Sequence, residues 1–157
     1  MPNAPKIAAI VSMPFDENTF VAHFPGRSDC IVIDPGLEPG KIVDYLQREK
    51  LTPAAILCTH GHSDHIAGNG AMKKHWPEAP IIIGHREADK MTDPNKNLSA
   101  PFGLPLVSPP ADRLVSEGDV IDVAGFSLHV HEIPGHSSGH VRSRSADGSS
   151  YYRTDNG

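Results

Sequence analysis

The 157-residue chain carries 14 Lys and Arg against 19 Asp and Glu, a formal net charge of −5, with 38% apolar and 6% aromatic residues. That length fits one domain on a single core, and the composition excludes a disordered, fibrous or membrane-spanning class. The acidic balance offers no basic surface of the kind a phosphate backbone requires, so nucleic acid is not an expected partner.

Ile7 to Val11, Thr19 to Phe24 and Cys30 to Ile33 are short runs rich in β-branched residues, separated by Pro14, Pro25-Gly26 and Pro35-Gly36. They predict an opening β-meander. Ile42, Val43, Tyr45 and Leu46, interleaved with Lys41, Asp44, Arg48 and Glu49, then predict one amphipathic helix stopped by Thr52-Pro53. Ala54 to Cys58 is apolar throughout, as a strand covered on both faces should be. A helix over Ile66 to Trp76, a buried strand at Ile81 to Ile83 and a helical start at His85 to Met91 continue the alternation of strand and helix. Thr92 to Pro110 is proline-rich and aperiodic, a loop that either lies over a site or links two halves. Asp119 to Val123 and Phe126 to Ile133 predict a hairpin around Ala124-Gly125, and Ser143 to Gly157 is a polar tail rich in Ser and Arg. Cys30 and Cys58 border apolar runs and are expected to be buried thiols rather than a disulfide or a ligand pair. With no apolar leader and no membrane-length apolar run, a single domain over residues 1–157 in a reducing cytoplasm is expected, without a membrane partner.

The chemistry concentrates in THGHSDH, Thr59 to His65, directly after the buried strand. In an extended loop His60 and His62, at spacing two, project to the same side and can meet one cation. Asp64 and His65 point elsewhere and are placed to grip a second cation about 3.5–4 Å from the first. A strand end fixes the backbone while the loop aims the side chains.

THGHSDH resembles the T-H-x-H-x-D-H signature of the metallo-β-lactamase fold hydrolases, and IPGHSSGH, Ile133 to His140, resembles the P-G-H-T-P-G-H segment of their glyoxalase II-like branch. PFDENTF, VIDPG and EGDVIDVAGF stand in the matching order. The resemblance implies an α/β fold, the αββα sandwich of that family. It also implies two zinc ions, with His60, His62 and His136 on the first and Asp64 and His65 on the second. Asp34 of VIDPG would orient a ligating imidazole, unless it is simply a turn aspartate before Pro35-Gly36. Asp155 stands where the family's bridging aspartate would fall, although Thr154 replaces the family's glycine before it. No histidine follows His140, so the second half of the fold is expected to be incomplete. Either the chain is a truncated relative, or water or a partner chain completes the site. His129 and His131 fall on the polar face of their strand, His23, His75 and His140 are read as surface or loop residues, and His85 is a candidate to approach the site.

Two such cations lower the pKa of a water between them from about 15.7 towards about 7, with Asp64 and Asp155 as the catalytic carboxylates that orient it. The resemblance implies hydrolysis of a small acyl thioester, as by hydroxyacylglutathione hydrolase, with glutathione as one candidate thiol carrier. Two alternatives stand beside it. One is a persulfide dioxygenase-like enzyme with a single iron on His60, His136 and Asp155, a two-histidine, one-carboxylate set. The other is a metal-binding but inactive relative. Oligomeric state has no signature in the sequence.

Overall fold

The structure, a computed structural model, describes residues 4–103, 105–132 and 141–145. The candidate ligands His136 and Asp155 lie outside these residues, as does His140. Strands β1 (Lys6–Ser12), β2 (Glu17–His23) and β3 (Asp29–Ile33) form the antiparallel meander. Helix α1 (Pro39–Arg48) then carries the chain over to β4 (Thr52–Cys58), which runs parallel to β3. Strands β5 (Ile81–Gly84) and β6 (Arg113–Val115) extend the sheet in parallel, giving the order β1-β2-β3-β4-β5-β6. A second sheet contains β7 (Val120–Val123), β8 (Phe126–Glu132) and β9 (Val141–Ser145), all antiparallel.

Period-two alternation decides which core each strand residue joins. Cys30, Val32, Ile56, Cys58, Ile81 and Ile83 face Ile42 and Leu46 of α1, together with Met72 and Met91 from later helices. Ile31, Ile33, Ala55, Leu57, Ile82 and Val115 face Ile121, Phe126, Leu128 and Val130 of the second sheet. Among the described residues the order of layers is therefore helices, sheet, sheet. Each fully buried aliphatic side chain in these two cores stabilises by about 1.5–3 kcal/mol, and the central strand β4 serves both. Both cysteines are buried free thiols, and burial raises Cys30 to about 12.

The hairpin turn falls at Ala124 (φ 52°) and Gly125 (φ 86°), the two positive φ values that a tight antiparallel connection with right-handed strand twist demands. The predicted helix over Ile66 to Trp76 is instead two pieces, α2 (Ser63–Ile66) and α3 (Asn69–His75). The break lies at Gly68, whose amide donates to the Pro35 carbonyl at 2.9 Å. A Cβ there would sit 2.8 Å from the Gly36 carbonyl oxygen and 2.9 Å from Pro35 Cβ. Close approach to the turn after β3 thus overrides helical continuity. Helix α4 (Ala88–Thr92) follows a 3₁₀ turn at His85–Glu87, in the region of the expected helical start. Strands β6 and β9 were not expected. Both have short or polar sequences and owe their strand form to a neighbour already in place. No helix among the described residues is long and apolar enough to cross a membrane.

Gly68→Ala tests the approach of α3 to the turn. Alanine suits both the backbone there (φ −87°, ψ −4°) and the helix, yet overpacking should destabilise by about 1–3 kcal/mol. Chemical denaturation of the two proteins checks it, and an equal or higher midpoint for the variant would count against the contact.

Candidate metal centre

The site forms where β3 and β4 end side by side. Asp34 follows β3 with φ 55°, a left-handed conformation that aspartate tolerates better than most residues, and its amide donates to the Leu57 carbonyl at 2.9 Å. This turn directs the carboxylate across to the β4 exit. Oδ1 accepts the Thr59 amide at 2.8 Å, and Oδ2 accepts the Thr59 hydroxyl at 2.7 Å. Oδ2 also lies 3.0 Å from Nδ1 of His65.

These contacts fix the histidine tautomers. Because the Thr59 hydroxyl spends its proton on Asp34, it must accept from Nδ1 of His60, 2.8 Å away, which leaves the lone pair of that ring on Nε2. His65 likewise gives Nδ1–H to Asp34 and keeps Nε2 as its ligating atom. Such carboxylate or hydroxyl support is what metal-ligating imidazoles ordinarily have. Asp34, His60 and His65, all buried, each offer a ligand atom within 4.8 Å of the others. The His60 ring lies edge-on to His62 with centroids 4.8 Å apart, and 4.2 Å from His65. His65 belongs to the first turn of α2, so its direction is set by that turn and not by the alternation of the extended loop before it. Asp64, on the same turn, places Oδ2 3.6 Å from Nε2 of His65.

Other predicted residues stand apart. His85 is exposed and turns towards Val115 and Glu132. His131 pairs with Glu117 at 3.3 Å, and His75 is exposed.

The chain matches the model of the metallo-beta-lactamase superfamily over residues 13–155. The chain belongs to that superfamily. It is 34% identical over 113 residues to a probable metallo-hydrolase, YqgX, of Bacillus subtilis, covering 71% of this chain and 53% of that protein. It is also 34% identical over 128 residues to the hydroxyacylglutathione hydrolase of Bdellovibrio bacteriovorus, covering 81% and 43%. The chain thus spans about half the length of the curated relatives it matches. Among solved structures, the BLEG-1 B3 metallo-beta-lactamase superposes with a TM-score of 0.85 at 30% identity, over 90% of this chain and 68% of that one. TTHA1623 in a di-iron-bound form superposes at 0.74 with 28% identity and the same coverage. The α/β fold is that of the superfamily, as the motifs imply.

One group in this superfamily member escaped sequence reading. Glu17 opens β2 with its side chain wholly buried, and its Oε1 lies 3.6 Å from Nδ1 of His65 and accepts no hydrogen bond. The signal was the phase of β2, in which Glu17, Thr19 and Val21 all fall on the buried side. Gly36 makes room for it, because a Cβ there would collide with the carboxylate and come within 2.7 Å of the Ser12 hydroxyl. Burial, with the charges of Asp34 and Asp64, pushes Glu17 up to about 10. For His65, burial pulls the pKa down, but the hydrogen bond and charge of Asp34, aided by Asp64, outweigh it and leave it raised. A cation beside these groups favours the ionised carboxylate and the neutral imidazole, so loading it releases protons.

In protein kept free of metal by a chelator, the folded state holds the Glu17 proton across the neutral range while the unfolded chain has lost it above about 4.5. The folded state binds more protons, so stability falls as pH rises. His65 acts in the same direction: its contribution is complete below 6.5 and is lost as pH climbs through its raised folded value. Urea midpoints between about pH 6 and 9 should fall for the parent chain and fall less for Glu17→Gln. Identical slopes would show that Glu17 is not held protonated.

Proposed function

We propose that the chain is a metal-dependent hydrolase of small acyl thioesters, glyoxalase II-like, with zinc as its metal. The observation that carries this reading is the buried cluster of Asp34, His60 and His65, whose ligand atoms lie within 4.8 Å of one another. Nitrogen and carboxylate donors of this kind suit zinc. The uncoordinated Glu17 oxygen next to His65 marks the same place as one built for positive charge.

In this reading His60, His62 and His136 would hold one ion and Asp64 and His65 a second, with Asp155 as a further carboxylate ligand. Asp34 and Thr59 orient His65 and His60. A bound divalent cation supplies a water acidic enough to react at neutral pH and a charge that polarises a carbonyl. The protein's own groups do the rest. Asp64, partly exposed at the start of α2, would accept a hydrogen bond from the reacting water and orient it. A thioester suits such a site because its thiolate leaves without a strong acid. Glutathione is the favoured thiol carrier, since the relative of known name acts on a hydroxyacylglutathione.

The di-iron-bound form of TTHA1623 supports iron as an alternative metal, and a single iron on His60, His136 and Asp155 would make the chain a persulfide dioxygenase-like enzyme. Two imidazoles with one carboxylate is also the donor set of non-haem iron oxygenases.

Elemental analysis of protein purified without chelator or added metal separates the readings. Zinc at close to two ions per chain, with S-acylglutathione hydrolysis that chelation abolishes and zinc restores, is the expected result. Asp34→Ala should weaken zinc binding by about 10- to 100-fold, and His60→Ala by more. About one iron per chain with oxygen consumption would transfer the assignment to the dioxygenase, and protein that retains no metal would reject both.

A further inference from the structure

The loop that carries the histidines is tied to the protein body at every second residue. The Thr59 amide donates to Asp34, the Gly61 amide to Oε1 of Glu87 at 3.0 Å, and the Ser63 amide to the Asn97 carbonyl at 2.9 Å. The residues between these ties are His60 and His62, whose rings face one another with centroids 4.8 Å apart. An extended segment presents alternate residues in opposite senses, so pinning the odd-numbered amides fixes the direction of the even-numbered side chains.

The middle tie is the least expected. Glu87 is completely buried at the end of the 3₁₀ turn after β5, and its second oxygen takes Nζ of Lys90 at 2.8 Å. Gly61 lies flat against this wall. A Cβ there would sit 2.5 Å from Lys90 Cβ and 3.2 Å from the Glu87 carbonyl oxygen. The wall is itself held by the proline-rich segment after α4. The buried Asn97 side chain donates to the carbonyls of Lys90 and Leu106, each at 2.9 Å, and accepts the Ser99 amide and hydroxyl.

We propose that Glu87 is a positioning residue of the metal centre: by accepting the Gly61 amide, backed by Lys90, it sets the separation and aim of His60 and His62. The proposal rests on the metal-site reading given above. A charge-assisted hydrogen bond to the backbone amide between two ligands is strong and restrains the direction of both. In this role the effect of Glu87 passes through the Gly61 backbone.

The test compares two double variants of the 157-residue chain that have both lost the ion pair, E87Q/K90M and E87M/K90M. They differ in whether an acceptor still faces the Gly61 amide. Zinc affinity is measured by competition with a chromophoric chelator, cobalt(II) absorption reports ligand geometry, and melting of the metal-free forms reports folding. We expect E87M/K90M to bind zinc about tenfold or more weakly than E87Q/K90M, with an altered cobalt spectrum. Equal affinities with equal spectra would overturn the proposal, as would a loss of affinity matched by the same loss in E87Q/K90M. Should E87M/K90M fail to fold, Glu87→Asp provides the second test, because it keeps the negative charge beside Lys90 but is one methylene short of the Gly61 amide. Zinc should bind it several-fold more weakly with an altered cobalt spectrum, and parent-like affinity and spectrum would overturn the proposal. A parent chain that takes up no zinc would instead sink the metal-site reading itself, whereas a parent that binds zinc while the two double variants behave alike sinks the role of Glu87 alone.

Discussion

The carboxylate of Asp34 joins two strand ends that parallel pairing brings together but leaves open. Where β3 and β4 stop, the sheet hydrogen bonds stop with them, and the chain beyond needs other partners. Asp34 supplies them. Its left-handed backbone directs one side chain at the Thr59 amide, the Thr59 hydroxyl and the His65 ring together. Hydrogen bonds to a charged acceptor contribute about 1.5–3 kcal/mol each, which offsets much of the cost of burying the carboxylate. The orientation of both histidine rings follows from this one side chain, one through Thr59 and the other directly.

That arrangement is possible because the surrounding layers are buried and packed on both faces. Strand β4 is covered by helices on one face and by the second sheet on the other, so the loop leaving it starts from a fixed direction. Burial raises the value of every polar contact made there and the cost of every contact missed. Glu17, close behind His65, illustrates the second half of that statement. Its carboxyl is tolerated in the absence of a cation because it keeps its proton.

Most of the fold was legible because the signals were local. Runs of β-branched residues marked the strands, and Ala124-Gly125 marked the hairpin. THGHSDH stood out as a candidate site because all of its members lie within one stretch. What stayed hidden depends on contacts between distant segments. The break at Gly68 comes from the turn after β3, and β6 and β9 form because a neighbouring strand offers an edge. The proline-rich stretch was readable only as a loop over a site or a link between halves. In the structure it runs along the core and braces α4 and the metal-binding loop through Asn97. Glu17 and Glu87 are single acids in ordinary surroundings, and only their burial after folding distinguishes them. The direction of His65 depends on the first turn of α2, where two-residue alternation no longer applies.

The braces of the loop all approach from the core side: Asp34 from the end of β3, Glu87 from the turn after β5, and Asn97 from the proline-rich segment. Each reaches backbone atoms or the Nδ1 nitrogen of a ring. Precision in such a site depends on supports whose own positions are locked by packing, and here Asp34, Glu87 and Asn97 are all buried. The face that holds ligands can therefore stay constant while loops on the open side change. This division lets one scaffold carry several chemistries, because a new substrate demands changes only where no brace is attached.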